Sequence, residues 1–191
     1  MAHLRDGACP YTPAAIRRSI DFGVRSIEHA NLIDAETARH AAAHDAFVVP
    51  TLVTYDALER EGAALGLPPV SMEKLKDVRV AGLQSLEHLV AAGVKIGFGT
   101  DLLGAMHIYQ SQEFAIRAEV MKPFDILRSA TLVNAELVQM SGKLGVVAAG
   151  AFADLLVVDG NPLDDLGLLQ IQGAHLRAIL KGGRFFKNEL R

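Results

Sequence analysis

The sequence predicts an α/β fold in which parallel strands alternate with helices and a short all-β stretch closes the chain. Three observations predict it. Short apolar β-runs at Val24 to His29, Phe47 to Leu52 and Val94 to Thr100 are separated by segments of helical periodicity, the spacing of parallel βαβ units. From Lys143 the texture changes to short strands parted by Gly145, Gly150, Gly160 and Gly182-Gly183. Two of the runs also stop on potential metal ligands, Ser26-Ile27-Glu28-His29 on an imidazole and Ile96-Gly97-Phe98-Gly99-Thr100-Asp101 on a carboxylate. A βα barrel presents its chemistry at the carboxyl ends of its strands, so His29 and Asp101 read as parts of a hydrolytic metal site. At 191 residues there is too little chain for a whole eight-stranded barrel.

Each element has a local reason. Thr12 opens a helix in which Pro13 suits the first turn, where its missing N–H costs nothing. Ala14, Ile16 and Ile20 mix there with Arg17, Arg18 and Asp21, and Gly23 can end the helix in a left-handed conformation. Asp34 is an N-cap for a second helix from Ala35 to about His44, with Ala38, Ala41 and Ala42 at helical spacing. Pro50 closes the regular pairing of the next strand. A loop holding Gly62, Gly66, Pro68 and Pro69 then leads to a long helix capped by Ser71, whose Met72, Leu75, Val78, Gly82, Leu86 and Leu89 share one face. Gly97 and Gly99 weaken the strand they sit in and signal close packing or a ligand near the backbone. Two further helices, around 110–120 and 124–140, are parted by Pro123. The segment Arg5-Asp6-Gly7 carries no convincing strand pattern.

Half the residues are hydrophobic and the net charge is −3, with charges interspersed. No basic run points to nucleic acid or an anionic membrane surface, which leaves a small-molecule substrate as the expected partner. A single cysteine, Cys9, excludes an internal disulfide framework and fits a reducing compartment. The start lacks an apolar core of signal-peptide length, and no stretch approaches the roughly 20 apolar residues that span a bilayer. A cytoplasmic location is expected.

Imidazole is a favoured zinc ligand, and a strand end fixes the direction of the His29 ring; the competing role is a hydrogen bond to a neighbouring loop. Asp101 sits on a tight turn where an uncompensated carboxylate is costly; its competing role is to accept N–H bonds from that turn. One rim carrying both makes the pair stronger than either residue. His107, on the loop after Asp101, can reach a substrate, and Cys9 is a weak candidate thiolate ligand. His40 and His44 have the i, i+4 spacing that can chelate a metal, but no Glu follows His40 in the H-E-x-x-H manner and the helix belongs to the outer ring, so they read as solvated surface histidines. No nucleophile elbow, phosphate loop or dinucleotide fingerprint occurs.

Tyr11-Thr12-Pro13-Ala14-Ala15-Ile16-Arg17-Arg18, Ser26-Ile27-Glu28-His29, Pro50-Thr51-Leu52 and Gly99-Thr100-Asp101-Leu102-Leu103-Gly104 together resemble the amidohydrolase superfamily, in particular its imidazolonepropionase-related, Xaa-Pro dipeptidase (prolidase)-like group. The stretch from Gly142-Lys143-Leu144-Gly145 to Asp159-Gly160-Asn161-Pro162 is similar to the return of that family's β-sandwich. The resemblance implies the C-terminal part of a (β/α)8 TIM-type barrel at 1–140 and a β-sandwich segment at 141–191. It implies hydrolysis of amide bonds, such as those of Xaa-Pro dipeptides, by water activated on a divalent metal, zinc first among candidates. His29 takes the place of the strand-six metal ligand and Asp101 that of the strand-eight ligand and proton shuttle. Tyr11 takes that of a substrate-contacting tyrosine. The family's strand-one His-x-His pair and strand-four lysine have no counterpart here, and Cys9-Pro10-Tyr11-Thr12 stands where the family has His-Ala-Tyr-Thr. Two ligands are fewer than the three usual in catalytic zinc sites, so Cys9, His3 or another subunit must complete the set. Half a barrel exposes sheet edges and an apolar inner face, which predicts a homo-oligomer. The alternatives are ester or lactone hydrolysis at the same site, and a catalytically silent barrel half that serves as an assembly or binding module.

Overall fold

The computed structural model describes residues 7–190. Four parallel strands form one sheet in consecutive order: β1 (Gly7–Ala8), β2 (Ser26–Glu28), β3 (Phe47–Val49) and β4 (Lys95–Ile96). Helices α1 (Pro13–Asp21) and α2 (Ala35–Ala43) fill the first two crossovers. Helices α3 (Leu52–Glu61) and α4 (Pro69–Ala92) fill the third. The α/β class and the parallel βα layer therefore stand as the sequence predicts. β1 is an addition: Gly7 and Ala8, which the sequence reading does not make a strand, become one because they pair with Ser26 and Ile27, while Arg5 and Asp6 lie outside the described residues. Partnership, not propensity, makes this strand.

The local signals read from sequence are used. Thr12 caps α1 by accepting from the Ala15 N–H, and the Asp34 carboxylate caps α2 by accepting from the Thr37 N–H at 2.7 Å. Gly93 ends α4 at φ 69°. Helix α4 starts two residues before Ser71, with Pro69 in its first turn. The principal difference is α3, where the sequence reading runs a strand to Leu52 and then a loop. Val53, Thr54 and Tyr55 are poor helix formers, yet Leu52, Val53, Thr54, Tyr55 and Ala57 are buried, and the Val53 N–H donates to Glu113 Oε2 at 2.7 Å. Tertiary burial overrides local preference there.

After β4 come a 3₁₀ turn (Gly104–Tyr109), α5 (Gln112–Ala118) and α6 (Pro123–Arg128). A π-helical turn (Ser129–Val133) carries α6 into α7 (Asn134–Leu137). Regular pairing of β4 stops at Ile96, well short of the expected Thr100. Beyond it the Asn134 side chain replaces a neighbouring strand: the Phe98 N–H donates to Asn134 Oδ1 and Asn134 Nδ2 donates to the Phe98 carbonyl. The glycines in this segment are there for packing. A Cβ at Gly99 would stand 2.9 Å from Val49 Cγ1, and one at Gly97 3.0 Å from Val49 Cγ2.

The core lies between the sheet and the helices, where Ile27, Val48 and Ile96 meet Ile16, Ile20, Ala38, Leu86 and Leu89. Phe47 and Val49, with opposite parity to Val48, are buried as well, so the sheet shows no bare apolar face at these positions. The tail is an antiparallel sheet of β5 (Leu155–Val158), β6 (Leu176–Lys181) and β7 (Arg184–Asn188). Gly182 and Gly183, both at positive φ, make the two-residue turn that joins the last two strands. Among the described residues, no helix is long and apolar enough to cross a membrane.

Candidate active site

The carboxyl ends of β2, β3 and β4 converge. His29 follows β2 directly, and its N–H still donates to the Val49 carbonyl at 3.0 Å, so the backbone that carries the imidazole is anchored to β3. Thr51 follows β3, and Asp101 follows the irregular continuation of β4. His29 has φ 68°, Ala30 φ 53° and Asp101 φ 50°. Left-handed backbone at side-chain-bearing residues costs on the order of 1–3 kcal/mol each and persists where surrounding structure enforces it, which is characteristic of functional sites.

The strained turns bring the two predicted ligands together. His29 Nε2 lies 3.9 Å from Asp101 Oδ2. The other ring nitrogen, Nδ1, is hydrogen-bonded to Thr51 Oγ1 at 2.8 Å, which fixes the ring plane and leaves Nε2 facing the carboxylate. The imidazole is well sheltered at 13% exposure, whereas the Asp101 side chain is 54% exposed and open to solvent. The Thr54 hydroxyl donates to the Asp101 carbonyl at 3.0 Å and holds its turn.

Tyr11 stacks on the His29 ring, with centroids 5.8 Å apart and planes 12° from parallel. Its hydroxyl shares a 3.0 Å hydrogen bond with that of Tyr55. Burial, and then the bond to Tyr11, push the Tyr55 phenol far above its usual range, so it remains a protonated hydroxyl. His107 is not brought in: it lies exposed on the 3₁₀ turn, and among the described residues no hydrogen bond, ion pair or ring contact joins its side chain to His29 or Asp101. Cys9 is exposed just past β1, and His3 lies outside the described residues. A carboxyl-end rim carrying Cys9, His29, Thr51 and Asp101 in strand order is the arrangement that results.

Beneath the rim sits a fully buried ion pair. Arg117 Nε donates to Glu113 Oε1 at 2.6 Å, and neither side chain has any exposure. Arg117 Nη2 donates to the Pro50 carbonyl at 2.7 Å and Nη1 to the Gly97 carbonyl at 2.8 Å. Its guanidinium also lies over the Phe98 ring at 4.5 Å. Burial pushes the Glu113 carboxyl up, against the pull of Arg117 and of the N–H groups of Val53 and Leu52. This pair clamps the chain just past β3 and β4, at Pro50 next to Thr51 and at Gly97 four residues before Asp101. Sequence reasoning missed Thr51 as a partner of His29, and also Tyr55 and the clamp. The i, i+4 spacing of Glu113 and Arg117 was a visible signal for the last.

A family model described as Amidohydrolase family matches residues 6–183. Ochratoxinase of Aspergillus niger is 27% identical over 176 residues, covering 91% of this chain and 36% of that protein. The crystal structure of an amidohydrolase matches with TM-score 0.94 and 57% identity, covering 97% of this chain and 45% of that one. A prolidase complexed with N-methylphosphonate-L-proline matches with TM-score 0.91 and 53% identity, over 95% of this chain and 45% of that one. A Xaa-Pro dipeptidase with bound methionine matches with TM-score 0.83 and 26% identity, over 95% and 44%. The chain thus spans less than half the length of these relatives.

Proposed function

Because the chain belongs to the amidohydrolase family, we propose that it contributes the His29–Asp101 part of a metal-dependent hydrolase site for amide bonds of the Xaa-Pro dipeptide type. The observation that carries the reading is the 3.9 Å approach of His29 Nε2 and Asp101 Oδ2 from the ends of separate parallel strands. Two donors each about 2.0–2.2 Å from one tetrahedral cation stand about 3.3–3.6 Å apart, so a slight closing of the 3.9 Å gap fits the residues to a shared divalent metal, zinc by donor type. The further donors come from Cys9 or from outside residues 7–190. The prolidase relative with a phosphonate-proline ligand supports the substrate class.

A cation bound there supplies Lewis acidity to a carbonyl oxygen and acidity to a water. The chain's own residues do the rest. Thr51 holds His29 so that Nε2 remains the free nitrogen. The Asp101 carboxylate, open to solvent, accepts the proton of the attacking water and delivers it to the leaving amine. Tyr11 covers one face of the His29 ring and offers the substrate a hydroxyl already polarised by Tyr55. In this reading 1–140 is the catalytic unit and 141–191 its β flank. A second copy completes the open sheet edges, which light scattering at micromolar concentration reads out directly.

Asp101→Asn is the test. It should lower hydrolysis of a Xaa-Pro dipeptide by about 10²–10⁴-fold while the fold, by circular dichroism, is unchanged. Equal rates for the variant and the wild type sink the proposal. The two-donor rim also favours a second reading, a catalytically silent barrel half. Dipeptides and p-nitrophenyl esters both left intact by wild-type protein in excess zinc would establish that one.

A further inference from the structure

On the opposite side of the βα layer lies a second group of metal-binding side chains. Asp21 is the last residue of α1, and His40 and His44 lie one turn apart on α2 and just past its end. Each offers one ligand atom, and these atoms all lie within 4.8 Å of one another; among the described residues this is the group of three His, Cys, Asp or Glu side chains so placed. His40 Nε2 is 2.9 Å from Asp21 Oδ1. The two imidazole centroids are 4.1 Å apart. His44 Nδ1 donates to the His40 carbonyl at 2.9 Å, which selects the tautomer with a free Nε2.

From this geometry we infer that Asp21, His40 and His44 form a peripheral site for one divalent transition-metal ion, which ties the end of α1 to the end of α2. Three features carry it. Two imidazoles and a carboxylate are the ligand types that borderline cations such as Zn²⁺ and Ni²⁺ take, whereas Mg²⁺ and Ca²⁺ prefer all-oxygen sets. Histidines at i, i+4 on one helix face form a chelate whose spacing the helix itself sets. The backbone bond at His44 Nδ1 is the outer-shell contact that metal-binding histidines ordinarily make. Bringing the three atoms onto one cation requires only small side-chain rotations, since they already lie within 4.8 Å of one another and Asp21 and His44 are exposed. Because helices run back from the carboxyl ends of strands, the cluster lies at the amino-terminal rim, where barrels invest in stability, not chemistry. The ion is therefore a staple between two helices that the Asp21–His40 contact and the 2.7 Å bond from Arg17 Nη1 to Thr37 Oγ1 already join.

The test is equilibrium dialysis of the whole chain against Zn²⁺, with thermal unfolding followed in parallel. Three proteins are compared: wild type, His40→Ala/His44→Ala, and His29→Ala/Asp101→Asn. The expected result is one equivalent of Zn²⁺ that the His29/Asp101 variant retains and the His40/His44 variant loses, with affinity falling at least 10-fold. Zn²⁺ should raise the unfolding temperature of the His29/Asp101 variant nearly as much as that of wild type, and that of the His40/His44 variant clearly less. His44 is exposed and the His40 side chain is 25% exposed, so circular dichroism checks that the His40/His44 variant keeps its fold, and Mg²⁺ serves as a control cation that should produce no shift. Equal zinc binding by wild type and the His40/His44 variant overturns the proposal. So does zinc binding without any stabilisation, which reduces the cluster to a surface charge contact.

Discussion

Two imidazole–carboxylate pairs sit at opposite rims of the same βα units, and they are built in different ways. The outer pair, His40 and Asp21, is the shorter at 2.9 Å, yet it rests on regular helix and needs no unusual backbone. The inner pair, His29 and Asp101, is longer at 3.9 Å, but each member stands at positive φ on a turn held by hydrogen bonds from β3, Thr51 or Thr54. Distance alone would favour the outer pair. Investment is the better guide: strained turns, a ring nitrogen tied to Thr51 and a buried ion pair beneath all serve the inner rim. The outer pair has the chemistry of a clip that can be left open without cost to the fold.

The comparison can be broken hardest at the clamp. Arg117→Met leaves Glu113 buried beside an apolar side chain and removes two donors from the β3 and β4 carbonyls. A loss of about 3–5 kcal/mol in stability is expected from an uncompensated buried carboxylate, visible as a lower denaturant midpoint in urea. Glu113→Gln with Arg117→Met should recover part of it, since the stranded charge is then gone. An unchanged midpoint in the single variant would show that the inner rim does not depend on the pair.

Thr51→Val sharpens the comparison at smaller scale. It keeps the shape of the side chain and removes the hydroxyl that orients His29. Metal affinity attributable to the inner pair should fall about 10–100-fold, with zinc binding at the outer cluster unaffected. The smallest effect belongs to the helix under the outer pair. Asp34→Ala removes the cap of α2 and should cost about 1 kcal/mol at neutral pH. The Thr37 N–H and then the Thr37 hydroxyl hold the Asp34 carboxyl below its usual range. Its contribution is therefore present above the ordinary carboxylate pKa and disappears as pH falls through the lowered value, so wild type and variant should converge in acid.

Much of the molecule was legible because its signals are local. The caps at Thr12 and Asp34, the stops at Gly23 and Gly93 and the crossovers between short apolar runs depend on neighbours a few residues away. His29 and Asp101 were legible for a related reason: a strand end is a local feature, and parallel strands in sequence order put successive ends on one rim. The loop after Asp101 winds into a 3₁₀ turn that leaves the His107 ring in solvent, a placement the sequence did not show.

What only the tertiary structure decided is whatever needs a partner far along the chain. Val53-Thr54-Tyr55 reads as loop until Glu113, sixty residues away, accepts the Val53 N–H and burial makes a helix of it. Gly7-Ala8 reads as nothing until β2 pairs with it. The two histidines on α2 read as surface decoration until α1 sets Asp21 beside them. Sequence determines periodicity, caps and which residues carry chemistry, because these energies act over one or two turns. Which of those residues meet is decided by packing, since burial and long-range hydrogen bonds outweigh the few tenths of a kcal/mol that local propensity contributes per residue.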